Sequence, residues 1–68
     1  MKKSILTKRE KEVFSELINN KSTKEIASSL GISEKTIRNH ISNTMQKLGV
    51  NGRVVAVIEL IKLGELSI

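Results

Sequence analysis

Between Lys35 and Lys47 the chain carries a run of long polar side chains at helical spacing, with an apolar stripe on the other side. Ile37, Ile41, Met45 and Leu48 keep to that stripe, with Thr44 beside it. At about 100° per residue the opposite side presents Lys35, Asn39, Ser42, Asn43 and Gln46, with Arg38 on one flank and Thr36, His40 and Lys47 on the other. These groups match the edges of base pairs. A guanidinium can donate two hydrogen bonds to guanine and a carboxamide can pair with adenine in a major groove wide enough for a helix, while Lys, Thr and His reach phosphates. The competing reading is a plain solvated helix face. Charge decides against it: from Lys35 to Ile58 there is no Asp or Glu, yet Lys35, Arg38, Lys47 and Arg53 fall in the segment. An ordinary solvent face mixes signs, and this one attracts a polyanion.

Such a helix must be held by others, and the flanking residues supply them. In the stretch TKEIASSLGISEKTIRNHISNTMQKL, Ile26, Ala27 and Leu30 mark one face of a short preceding helix, and small Ala27 permits close approach. Gly31 follows directly, where a chain leaving a helix commonly needs positive φ. Ser33 is the expected cap of the next helix, with Ile32 set to pack on Ile37 as a staple. The two helices form a helix-turn-helix. Ser22 to Glu25 spells a capping box at the start of the first, where Thr23 and Lys24 can hold a phosphate near free N–H groups. A purely capping role for Thr23 is compatible with that.

A further capping box, Thr7 to Glu10, opens helix 1, whose apolar face is Val13, Phe14, Leu17 and Ile18 and whose end is Asn19 to Lys21. After Leu48, GVNGR reads as a tight turn with Asn51 as a cap, and helix 4 runs from Arg53 to Leu63 before Gly64. Its apolar residues cover an arc of about 220°, wider than the roughly 100° that a helix lying on a small core requires. Assigning Ala56, Val57, Leu60 and Leu63 to the core leaves Val54, Val55, Ile58 and Ile61 as a surplus patch, read here as a homodimer interface. Two alternatives stand beside it: helix 4 wrapped on both sides by its own chain, or a protein-interaction module that docks another protein's helix through helix 4.

Composition sets the bounds. Sixty-eight residues make one small all-α domain, with residues 1–6 a basic lead expected to fray and residues 7–68 the folded part. Lys plus Arg number 12 against 7 acids, a net charge of +5, which suits nucleic acid. There is no Cys and a single His, so neither a disulfide framework nor a structural zinc is expected. No acid/base pair or nucleophile can be assembled, so no enzymatic activity, cofactor or small-molecule ligand is expected. Phe14 is the sole aromatic residue, against the stacking platforms of single-strand binders. No apolar run approaches a membrane span and no secretory pattern is present, so a cytoplasmic location is expected.

With these residues placed, the chain resembles the C-terminal DNA-binding domain of the LuxR/GerE family of bacterial transcription regulators. The resemblance is carried by LTKREKEVF, by KSTKEIASSLGISEKTIRNHISNTMQKLGV and by GRVVAVIELIKLGEL, which together span Leu6 to Leu66. It implies a four-helix fold with the third helix, about residues 33–48, in the major groove of promoter DNA, the fourth in a homodimer, and RNA polymerase as a further partner of an activator. It also implies base reading by Arg38, Asn39 and Ser42, phosphate or mixed contacts by Lys35, Thr36 and His40, and phosphate holding by Thr23 and Lys24; by type and position Lys35 is further expected to read bases and Lys47, on the polar flank, to reach phosphate. In the run SEKTIRNHISNTMQKLGV the chain is most similar to the family's free-standing sporulation regulators, which implies control of spore-coat genes. Many members have Lys and then an apolar residue where this chain has Arg38 and Asn39, a departure that bears on which sequence is read.

Overall fold

The computed structural model describes residues 5–67, so Lys2 and Lys3 of the basic lead lie outside the described residues. Four helices follow in order: α1 (Lys8–Ile18), α2 (Thr23–Leu30), α3 (Glu34–Leu48) and α4 (Arg53–Lys62), with no strand among the described residues. Each of the first three starts on a side-chain acceptor. Thr7 and Glu10 exchange bonds at 3.0 and 3.1 Å, and Ser22 and Glu25 do so at 2.8 and 3.1 Å, both complete capping boxes. Ser33 Oγ accepts from Thr36 N–H at 3.1 Å to open α3. The fourth helix differs: its N-cap is Gly52, not the expected Asn51, and no side chain caps it.

Helix ends follow from single residues that take positive φ. Gly31 (φ 70°) closes α2 and sets the short turn into α3, so the helix-turn-helix is built around it. At the end of α3, Gly49 N–H bonds Gln46 O at 3.2 Å and Val50 N–H bonds Met45 O at 3.1 Å, the paired bonds of a Schellman motif.

The core gathers Val13 and Phe14 of α1, Ile26 and Ala27 of α2, Ile37 and Ile41 of α3, and Ala56 and Leu60 of α4, all buried. Helix α3 packs on each of the other three, so the remaining helices serve as its cradle. Thr44, placed beside the stripe by its spacing, is fully buried, and its hydroxyl is satisfied by donating to His40 O at 2.9 Å. One core assignment needs correction. Leu63 is exposed, and Val57 is only half-buried. After α4 the chain reverses at Gly64 (φ 77°), with Gly64 N–H on Ile61 O and Glu65 N–H on Leu60 O, and Leu66 swings into the core in place of Leu63.

A second contact ties the two ends of the scaffold. Glu10, buried to 3% exposure, receives Lys47 Nζ at 2.6 Å and Thr7 N–H at 3.0 Å on the same carboxylate oxygen. Lys47 also reaches Ile5 O at 3.4 Å. Burial raises the Glu10 pKa, but the Lys47 hydrogen bond, the Thr7 N–H, the Lys47 charge and the Thr7 hydroxyl outweigh it, so the carboxyl lies below its ordinary range. The last turn of α3 is thereby clipped to the first turn of α1.

Candidate nucleic-acid interface

On the side of α3 away from the core, Lys35, Arg38, Asn39 and Ser42 are all exposed, together with Asn43 and Gln46. A rigid helix held at Ser33 and at Gly49 therefore offers donors and acceptors on successive turns, the arrangement needed to meet base edges without ordering a loop. Arg38 is partly engaged: its Nη1 lies 3.6 Å from an oxygen of Glu34, one turn earlier on the same helix. The rest of its guanidinium faces solvent, since the side chain is 57% exposed.

The residues expected at phosphates divide into two groups. Thr23 and Lys24 form the first turn of α2, whose dipole favours an anion; Lys24 is exposed, and Thr23 Oγ1 accepts from Arg53 Nη1 at 3.5 Å. Thr36 is half-buried with its hydroxyl 2.9 Å from Ser33 Oγ, and His40 is half-buried on the flank of α3. Lys47 is engaged within the fold. Its ammonium is drawn inward onto Glu10 and Ile5 O, which makes it a structural cation of the α1–α3 joint. The helical wheel put Lys47 on the polar flank because a wheel carries no information about α1.

Residues that spacing alone did not assign also meet here. Arg53, the first residue of α4, brings a cation to the start of α2 across a gap of thirty residues in sequence. Its membership of the acid-free segment was the available signal. Glu34 is the sole acid between Glu25 and Glu59, and its place four residues before Arg38 was a readable ion-pair spacing.

The face expected to dimerise is largely open: Val54 is 72% exposed, Val55 53% and Ile58 49%. Ile61, expected with them, is half-buried against the core. Beside this patch a groove of about 530 Å³ runs between the end of α1 and α4, with Leu17 and Ile18 on one wall and Val54, Val57, Ile58 and Ile61 on the other. Leu17 and Ile18, on the apolar face of α1, thus serve this surface as well as packing against the core. No helix among the described residues is long and apolar enough to cross a membrane.

Comparison with known proteins bears on what such a surface does. The model for bacterial regulatory proteins of the luxR family matches residues 4–60. The chain is 67% identical over 66 residues to the spore germination protein GerE of Bacillus subtilis (strain 168), covering 97% of this chain and 89% of that protein. It is 49% identical over 65 residues to the uncharacterized transcriptional regulatory protein YhcZ of the same organism, where it covers 91% of this chain and 30% of the relative. Among solved structures, that of the transcription factor GerE superposes with a TM-score of 0.93 at 62% identity, over 96% of this chain and 97% of the other.

Proposed function

The chain belongs to the luxR family of bacterial regulatory proteins and is a DNA-binding transcription regulator, and from that premise we propose that it reads two-fold related promoter half-sites as a homodimer. One observation carries the reading: Lys35, Arg38, Asn39 and Ser42 are exposed side by side on a helix capped at both ends. In this reading α3 enters the major groove, those four residues contact bases, and Thr23, Lys24, Thr36 and His40 hold the backbone on either side. Two protomers join through Val54, Val55 and Ile58 of α4, with Ile61 beneath them. The protein acts in the cytoplasm on nucleoid DNA. GerE's name and extent of likeness support a role in sporulation; in this reading spore-coat genes are the targets. For activation, the exposed face of α1 is the surface offered to RNA polymerase.

Base contacts and backbone contacts separate by experiment. Arg38→Ala is expected to cost roughly 1–3 kcal/mol on the preferred duplex and to relax preference at one base pair. Lys24→Ala is expected to weaken all duplexes alike and to reduce the slope of affinity against salt by about one counterion. Quantitative mobility shifts on preferred and scrambled duplexes across a salt series measure both. If Arg38→Ala weakens every sequence equally, its assignment to a base is wrong.

The proposal as a whole is tested by selecting bound sequences from a random duplex pool. A two-fold related motif, bound roughly 10³-fold or more above scrambled DNA, is the expected outcome. Half-site centres about 34 Å apart would match recognition helices one turn of DNA apart. Recovery of no motif, with all binding lost along a single salt slope, would leave only a charge effect and would favour protein docking through α4.

A further inference from the structure

Glu34 is out of place on a surface that meets DNA. It is the one acid between Ile26 and Ile58, it sits at the first position of the recognition helix, and its side chain is 46% exposed. A carboxylate there repels every phosphate it approaches, whatever the sequence. An acid in the first turn is favoured by the helix dipole, but capping needs no carboxylate here, because Ser33 already accepts the Thr36 N–H and no capping box forms on α3. What it does contact is Arg38, through one oxygen and Nη1 at 3.6 Å.

We propose that Glu34 is a positioning residue for sequence discrimination: it aligns the Arg38 guanidinium on a correct base and penalises binding where Arg38 finds none. The inference rests on the reading that Arg38 contacts a base. A guanidinium has five N–H donors, and the 3.6 Å ion pair with Glu34, longer than a hydrogen bond, draws the group at Nη1 while leaving the donors for a guanine edge. The opposite charge one turn earlier biases the planar fork toward that side of the helix before the DNA arrives. On a correct site the carboxylate stays neutralised by Arg38 while Arg38 is itself satisfied. On a wrong site Arg38 turns to a phosphate, and the abandoned carboxylate is left beside the polyanion. Glu34 therefore weakens non-specific complexes more than specific ones.

Two variants separate alignment from charge. Glu34→Gln removes the charge with little change of shape, and it is expected to tighten binding to scrambled DNA while the preferred duplex gains less, so the specificity ratio falls by about two- to fivefold, the scale of an exposed ion pair. Glu34→Asp keeps the charge but shortens the side chain by one methylene, so scrambled-DNA affinity is expected to stay unchanged while affinity for the preferred duplex drops. Circular dichroism and thermal melting verify that both remain folded, as their exposed position requires. The proposal is overturned if Glu34→Gln tightens both duplexes by one common factor, or if Glu34→Asp behaves as the parent on both. In an Arg38→Ala background the effect of Glu34→Gln on the ratio is expected to vanish. If Arg38→Ala by itself leaves the ratio intact, the fault lies with the assignment of Arg38 to a base; if it lowers the ratio but the Glu34 variants do not, the fault lies with Glu34.

Discussion

Ile58→Asp is expected to give a folded monomer that binds a two-half-site duplex at least about a hundredfold more weakly than the parent, while affinity for a single half-site changes little. The argument begins with exposure. Ile58 lies 49% open on the wall of the groove that Val54, Leu17 and Ile18 also line, with exposed Val55 on the same helix, so it is central to the uncovered apolar surface. Ala56 and Leu60, which anchor α4 to its own core, are untouched by the change. A carboxylate placed in an apolar interface loses its water without gaining a partner, and association is abolished rather than trimmed. Two linked recognition helices gain roughly 10²–10⁴ in affinity over one through effective concentration, and that factor is what the monomer forfeits. Sedimentation gives the mass and mobility shifts give the affinity. Unchanged mass and unchanged affinity together would eliminate α4 as the interface.

The second large effect is on stability. Lys47→Met is expected to cost about 2–4 kcal/mol, because it leaves the buried Glu10 carboxylate facing apolar surroundings, with some relief from solvent since Lys47 is itself about a third exposed. At roughly 0.05–0.15 kcal/mol per residue a domain of this size has only about 3–10 kcal/mol in hand, so the variant is close to unfolding at 25 °C. Replacing both partners, Glu10→Gln with Lys47→Met, is expected to recover a good part of the loss, since no charge is then stranded. The pH dependence follows from the lowered pKa of Glu10. A carboxyl whose folded pKa lies below its unfolded one contributes stability that is fully present above the unfolded value and lost as pH falls through the folded value. The parent should therefore lose stability on acidification across the carboxylate range, and Glu10→Gln should show a shallower slope there. Urea titrations at a series of pH values provide the test; equal slopes would mean that Glu10 contributes nothing through its charge.

How far the fold could be read from the chain depended on the reach of each signal. The starts of α1, α2 and α3 were legible because a cap is complete within four residues: Thr7 with Glu10, Ser22 with Glu25, Ser33 with Thr36. Their ends were legible where a glycine at positive φ leaves few other conformations. The exposed residues of α3 followed from period 3.6 alone, and the motifs that pointed to the LuxR/GerE family agree with the match over residues 4–60. What escaped lay beyond local range. Lys47 and Glu10 are separated by 37 residues, so nothing near Lys47 announces that its ammonium is taken. Leu63 and Leu66 exchanged places because the reversal at Gly64 ends the helical period that was used to place Leu63. Asn51 has a capping side chain, yet the helix starts one residue later, at a position without one.

That start at Gly52 has a consequence for how two protomers meet. Three helices begin with their first amides tied to a hydroxyl, whereas those of α4 are left to water, and glycine adds the largest backbone freedom of any residue just before them. The first turn of α4 carries Val54 and Val55, so part of the surface offered for association sits on a turn that has no side-chain cap. In a lone protomer these amides exchange with deuterated solvent sooner than those at the starts of α1 to α3, and pairing slows them. Part of the association free energy is spent on ordering that turn, so the affinity between protomers is lower than its apolar area alone would give. Serine at position 52 would lessen that ordering cost, drawing protomers together with no new contact across the interface.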